Sequence, residues 1–149
     1  MRVIAPVLVG LALAPASLAQ QQQPTVDPSI ADGSAQKALN QAKRKWLHHG
    51  PHSYTYRVQL SCFCTQDSLK PHTFVVRNRR PVHPPKGHKG EATAWRLFKI
   101  VQGAIDDRAD GLHVEYRANG SLKMVSVDRY SMAIDDEYTF FVDRFKRLR

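Results

Sequence analysis

Asn119-Gly120 stands between two runs that alternate apolar and polar side chains, Leu112 to Arg117 and Leu122 to Asp128. A two-residue hairpin turn asks for positive φ at both central positions, and Asn-Gly is the pair that meets this most readily. The turn therefore predicts a register. With Ala118 facing Ser121, Val114 lies opposite Val125 and Leu112 opposite Val127, so the four side chains share one face. A slip of one residue would scatter them across both faces. The segment is thus committed to an antiparallel hairpin with one side to bury, and the rest of the fold has to supply the cover.

Two segments have the period to supply it. Glu91 and Thr93 open a helix in which Ala94, Leu97, Phe98, Val101, Ala104 and Ile105 form an apolar stripe, with Gly111 as its stop. Earlier, Ser34 is placed to cap a helix carrying Ala35, Ala38, Leu39, Ala42 and Trp46 at three- and four-residue steps. Lys43, Arg44, Lys45 and His48 lie toward its negative end, and Gly50-Pro51 stops it. Between the helices, Ser53 to Cys64 alternates as a half-buried strand, with Tyr54, Tyr56, Val58, Leu60, Cys62 and Cys64 on one side. His72 to Arg77 reads as a second strand, Arg79 to Gly90 as a loop or short edge strand, and Tyr138 to Phe145 as the last strand. The order helix, strands, helix, strands predicts an α+β fold in which two helices cover one face of an antiparallel sheet. The expected core is Leu39, Trp46, Tyr56, Val58, Leu60, Val76, Leu97, Phe98, Val101, Ile105, Val114, Val125 and Val127.

With 149 residues, 42% hydrophobic and 23% charged, the chain suits a single domain over 34–149 and excludes a disordered tail or a multidomain machine. Residues 1–19 have the build of a signal peptide: Arg2, an apolar stretch from Val3 to Ala14, then Ser17-Leu18-Ala19 before the expected cut. The stretch is shorter than the roughly 20 apolar residues of a membrane span and is broken by Pro6, Gly10 and Pro15. Residues 20–33, rich in Gln and Pro, read as a flexible linker. The expectation is an exported chain, periplasmic or secreted, with no transmembrane segment after processing.

Charge is unevenly spread. The formal net charge is +9, and 20–90 holds 11 Lys or Arg against three acids, whereas 91–149 holds ten of each. The first half therefore attracts polyanions at long range. For an exported chain the expected partner is an anionic envelope component or an acidic protein, and nucleic acid is not expected. The loop side of this half offers Arg77, Arg79, Arg80, Lys86 and Lys89 as an anion-contact surface, extended by Arg144, Lys146, Arg147 and Arg149 if the last strand runs alongside.

Residues able to carry chemistry are few. Cys62 and Cys64, the two cysteines of the chain, are expected to be oxidised together in an oxidising compartment. On a straight strand they sit about 6.5–7 Å apart, at the limit of what a disulfide spans, so the bridge requires a bend and suits either a small staple or a thiol-exchange site. Asp135-Asp136-Glu137 crowds three carboxylates, which suits either a cation or a turn that pairs with nearby Lys or Arg. His48, His49, His52, His72, His83, His88 and His113 lack the spacing of a metal site. No nucleophile elbow, zinc-protease, phosphate-loop or calcium-loop motif occurs, so no catalytic residue, metal or cofactor is assigned.

The runs Tyr54-Thr55-Tyr56-Arg57, Ser61-Cys62-Phe63-Cys64, Phe74-Val75-Val76-Arg77-Asn78, Val125-Ser126-Val127-Asp128 and Ile134-Asp135-Asp136-Glu137-Tyr138 resemble a family of exported bacterial proteins known only as a domain of unknown function. The resemblance spans Trp46 to Phe145 and implies a fold and a compartment, with no activity. A basic, His-bearing loop after Arg79 and the lack of Pro after Cys64 set this chain apart. The reading that follows is a non-catalytic binding or inhibitor-type module with a basic surface; the alternative is a thiol-disulfide protein using Cys62 and Cys64.

Overall fold

The computed structural model describes residues 25–149, so the expected signal peptide and the start of the expected linker lie outside the described residues. Six strands, β1 (Tyr54–Cys62), β2 (His72–Arg77), β3 (Arg80–Val82), β4 (Gly111–Tyr116), β5 (Leu122–Asp128) and β6 (Tyr138–Arg147), pair antiparallel in the order β3-β2-β1-β6-β5-β4. Helices α2 (Ser34–His49) and α3 (Ala94–Asp106) carry the predicted apolar stripes, and α1 (Pro28–Ala31) adds one turn before them. The fold is α+β.

The hairpin pairs Val114 with Val125 and Leu112 with Val127 as predicted, but by a different turn. Gly120 N–H donates to the Arg117 carbonyl and Arg117 N–H to the Ser121 carbonyl, both at 2.8 Å, so Arg117 rather than Ala118 faces Ser121. Gly120 has φ 87°, while Asn119 stays out of the left-handed region and uses its side-chain oxygen to accept from Ser121 N at 3.0 Å. The turn is one residue out of the expected phase. Lys123 bulges between the pairs Tyr116–Leu122 and Glu115–Met124 and restores it. Gly120 also touches α2, since a Cβ there would lie 2.3 Å from the Ala42 carbonyl oxygen.

Other boundaries shift for physical reasons. Ser34 does not cap α2: it is the first helical residue, Gly33 occupies the cap position, and Ser34 N–H donates to Asp32 Oδ1 at 2.8 Å. Gly111 does not stop α3, which ends at Asp106 with Arg108 in the left-handed region at φ 55°; Gly111 opens β4. Part of the segment expected to be linker is folded. Asp27 caps α1 by accepting from Ser29 N at 2.8 Å and reaches across to accept from Leu112 N at 2.9 Å. Burial alone would raise its carboxyl pKa, and the hydrogen bonds from Ser29 and Leu112 outweigh that and hold it below the ordinary value. Ile30 is buried beneath this clasp.

The core lies between the two helices and the sheet. Of the expected set, Leu60, Ile105 and Val114 are half-buried at its margin, and the rest are buried, joined by Tyr54, Phe74, Leu122, Phe140 and Val142. Near the start of β1 the core is aromatic. A bulge at Arg144, with φ 48°, sets two residues of β6, Arg144 and Phe145, against one of β1, Tyr56, and turns Phe145 back toward the helices. There it stacks on Tyr54 at 5.1 Å between ring centroids and meets Trp46 edge-on at 5.8 Å.

Candidate functional site

The two ends of the sheet differ in charge and chemistry. At the end where β1 begins, α2 terminates against its own last tryptophan: Gly50 lies so close to Trp46 that a Cβ would sit 2.4 Å from the Trp46 carbonyl oxygen. Thr93 caps α3 by accepting from Arg96 N at 3.2 Å, and the Tyr54 hydroxyl accepts from Ala94 N at 3.0 Å, which fixes the start of α3 over β1. Burial foremost pushes the Tyr54 phenol up to about 12, so it stays neutral. The β2–β3 turn completes the enclosure. Asn78 and Arg79 both have positive φ, 48° and 65°, and their N–H groups donate to Ser53 Oγ at 3.1 Å and to the His52 carbonyl at 2.7 Å.

These elements bound a cavity of about 460 Å³ lined by Trp46, Leu47, Gly50, Pro51, Tyr54, Arg79, Pro81, Thr93, Trp95, Arg96 and Lys99. Three of its residues are cations and none is an acid. Arg79 Nη2 meets His52 Nε2 at 2.8 Å, and Arg96 Nη1 donates to the Lys89 carbonyl at 2.5 Å. Among the described residues, Arg79, Arg96 and Lys99 have no carboxylate partner. The positive end of α3 adds to the same field.

Of the basic candidates named from the sequence, Arg79 alone lines this cavity. Arg77 and Arg80 face each other directly across β2 and β3, a like-charge pair that costs stability. Lys89 reaches the site through its carbonyl contact with Arg96, and Lys86 stays in the loop beyond β3. Arg147 lies opposite Tyr54 and Lys146 opposite Thr55, so the last strand does run alongside; Arg144 takes the bulge and Arg149 follows the strand. Arg96, Lys99 and Trp95 were missed by sequence reasoning. The signal available was Trp95, a large aromatic off the apolar stripe of α3, which the structure leaves 44% exposed.

At the opposite end, β1 stops at Cys62 and the chain bends to form the Cys62–Cys64 disulfide, with 5.4 Å between Cα atoms. The bend leaves Phe63 80% exposed. A second, shallower cavity of about 460 Å³ joins this clip to Asp135, Asp136, Glu137, Glu91 and Arg129. The structure thus brings the cystine and the acidic run together. Asp136 is occupied in holding the loop, accepting from Tyr130 N at 2.7 Å, while Asp110 accepts from Ser131 N at 2.8 Å. The carboxyl with a raised pKa is Asp128, through burial first and then repulsion from Asp136 and Asp110. Beside this cavity the rings of His72 and His88 lie 3.9 Å apart, and His88 Nδ1 is 3.8 Å from Glu91 Oε2. His72 Nε2 and Glu91 Oε2 are buried without hydrogen-bond partners. Among the described residues, no group of three or more His, Cys, Asp or Glu is arranged to hold a metal.

Residues 38–147 match a family of unknown function (DUF6174). The chain belongs to DUF6174. The matched span runs from within α2 to the last residue of β6, so every residue lining the two cavities falls inside the DUF6174 domain. No curated protein and no solved structure matches the chain. Among the described residues of this DUF6174 chain, no helix is long and apolar enough to cross a membrane.

Proposed function

We propose that this chain is a non-catalytic binding module, exported from the cell, that docks an anionic component of the cell envelope on the basic end of its sheet. The single observation that carries this reading is the group Arg79, Arg96 and Lys99, brought from the β2–β3 turn and from α3 to one opening with no carboxylate among its lining residues. Folding alone gains nothing from such an arrangement, because gathered like charges repel. Arg77 and Arg80 on the adjoining hairpin repeat the cost. An anionic partner turns both costs into attraction, which salt weakens beyond a Debye length of about 8 Å at physiological ionic strength.

Vesicles test it. The chain should bind vesicles containing phosphatidylglycerol at low salt, release them as salt rises, and ignore vesicles of phosphatidylcholine alone. Replacing Arg77, Arg79, Arg80, Arg96 and Lys99 together with Ser should remove that binding while the far-ultraviolet dichroism stays unchanged. Equal binding by the folded variant, or none by the wild type, defeats the reading. The second reading, a thiol-disulfide protein, is favoured by one observation: Cys64 is exposed at the mouth of the second cavity. Failure of a dithiol to reduce the bridge under native conditions would remove it.

A further inference from the structure

We infer that the cavity between α2, α3 and the β2–β3 turn is a site for a single-chain anionic amphiphile, with its carboxylate head on Arg79, Arg96 and Lys99 and its chain between Trp46 and Trp95. The inference rests on the reading above and adds what enters the molecule, as distinct from what lies on its surface.

The walls call for an apolar body. Trp46, Leu47, Pro51, Pro81 and Trp95 face the cavity, with Leu47 50% and Trp95 44% exposed. Trp95 meets Phe98 edge-on at 5.9 Å and keeps 44% of its surface exposed, so part of its ring is free for a ligand. An inorganic anion would leave these surfaces in water. A polymer could cover the opening without filling it. The volume, about 460 Å³, lies in the roughly 300–1,000 Å³ range of small-ligand sites and suits one chain.

The head has to meet side chains rather than helix backbone. Thr93 already takes Arg96 N and Tyr54 already takes Ala94 N, so these two amides at the start of α3 are occupied. Arg79, Arg96 and Lys99 remain, all cationic and without carboxylate partners among the described residues. The turn holds Arg79 at φ 65° through its bond to His52. A residue with a Cβ rarely occupies that region, and the bond to His52 holds it there, which places a cation at the rim of the cavity.

The chain contains two tryptophans, Trp46 and Trp95, and both line this cavity, so intrinsic fluorescence reports its occupancy. The purified full chain is titrated with hexanoate, octanoate and decanoate below their micelle-forming concentrations. Octylamine, octanol and inorganic phosphate serve as controls. A saturable change in emission is expected, with Kd falling about fourfold for each added methylene (about 0.8 kcal/mol each) until the cavity is full. Octylamine and octanol should bind at least about tenfold more weakly, the scale of one lost charge-assisted hydrogen bond, and phosphate should leave the emission unchanged. Arg79→Gly should weaken octanoate about tenfold without lowering the thermal midpoint, because glycine suits the turn better than arginine.

Octylamine matching octanoate, an affinity independent of chain length, or no saturable change would each overturn the inference. If vesicles bind and the acids do not, this inference falls while the surface reading stands. If the acids bind and vesicles do not, the surface reading falls and the cavity site stands.

Discussion

Replacing Gly120 with alanine tests how the β4–β5 hairpin is fixed to α2, and two further glycines separate the contributions. At Gly120 φ is 87°, and an added Cβ would lie 2.3 Å from the Ala42 carbonyl oxygen and 2.8 Å from Trp46 N, both backbone atoms that cannot swing away. The conformational part costs about 1–2 kcal/mol. The steric part forces α2 to lift from the hairpin, an overpacking effect of about 1–3 kcal/mol, and a stiffer unfolded chain returns about 0.4–1 kcal/mol, so Gly120→Ala should lose about 1–4.6 kcal/mol in all. Gly33 has φ 77° with nothing within 4 Å of its Cβ position, so Gly33→Ala isolates the first part. There a stiffer unfolded chain returns about 0.4–1 kcal/mol, leaving a net loss near or below about 1 kcal/mol. Gly50 has φ −71° and would place a Cβ 2.4 Å from the Trp46 carbonyl oxygen, so Gly50→Ala isolates the second part and displaces the indole as well. Urea midpoints followed by far-ultraviolet dichroism measure all three, and tryptophan emission should shift most for Gly50→Ala. A Gly120→Ala loss within about 0.5 kcal/mol of the Gly33→Ala loss would show that α2 is not seated on the hairpin turn and would refute the packing argument.

Truncating Phe98, which is fully buried, to alanine should cost about 3–5 kcal/mol, a large part of the roughly 5–15 kcal/mol that holds a domain together; an unchanged midpoint would mean that the face of α3 is misassigned. Asp27→Asn should cost about 1–3 kcal/mol at neutral pH, because Asn keeps the cap but its amide nitrogen cannot accept from Leu112 N. Because the folded Asp27 pKa lies below its ordinary 3.8, the carboxylate's contribution is complete above that value and is lost as pH falls below it. The variant's stability deficit should therefore shrink in acid, and a pH-independent deficit would contradict the assignment. His72 has its pKa lowered from 6.5, by burial first and by His88 second, so the unfolded chain binds more protons and stability should fall as pH drops below about 6.5. His72→Gln should flatten that slope, and a slope unchanged in the variant would place its origin elsewhere. Non-reducing mass spectrometry should find Cys62 and Cys64 in one peptide lighter by two hydrogens, and two alkylated thiols would contradict the pairing.

Sequence patterning resolved those parts of the fold whose evidence is local. The pairs Val114–Val125 and Leu112–Val127 followed from alternation because a slip would expose every one of them. The turn joining them did not, because its geometry is decided by Gly120 against Ala42 and by the Lys123 bulge, neither of which leaves a mark in hydrophobic period. Asp27-Pro28 carried a usable cap signal, yet the surrounding Gln and Pro composition hid it. For the site, Arg79 stood out as part of an acid-free basic loop. Arg96 and Lys99 did not, since cations on an amphipathic helix read as a solvated face until the crossing of α3 over β1 brings them to Arg79. The cystine and the acidic run were each visible, while their meeting depends on β1 and β6 pairing Cys62 with Tyr138.

That pairing also sets the order in which the molecule can be completed. β6 is the last strand in the chain but sits in the middle of the sheet, between β1 and β5. Until it arrives, β1-β2-β3 and β4-β5 are separate hairpin units, each with a bare inner edge that invites pairing with another chain. Neither half can close early. Arg57 meets Asp143 only after 86 intervening steps along the chain, a non-local contact of the kind that slows folding. A chain emerging from its amino end must keep this sheet unfinished until β6 is free. Loss of β6 would therefore divide the sheet in two rather than merely shorten it.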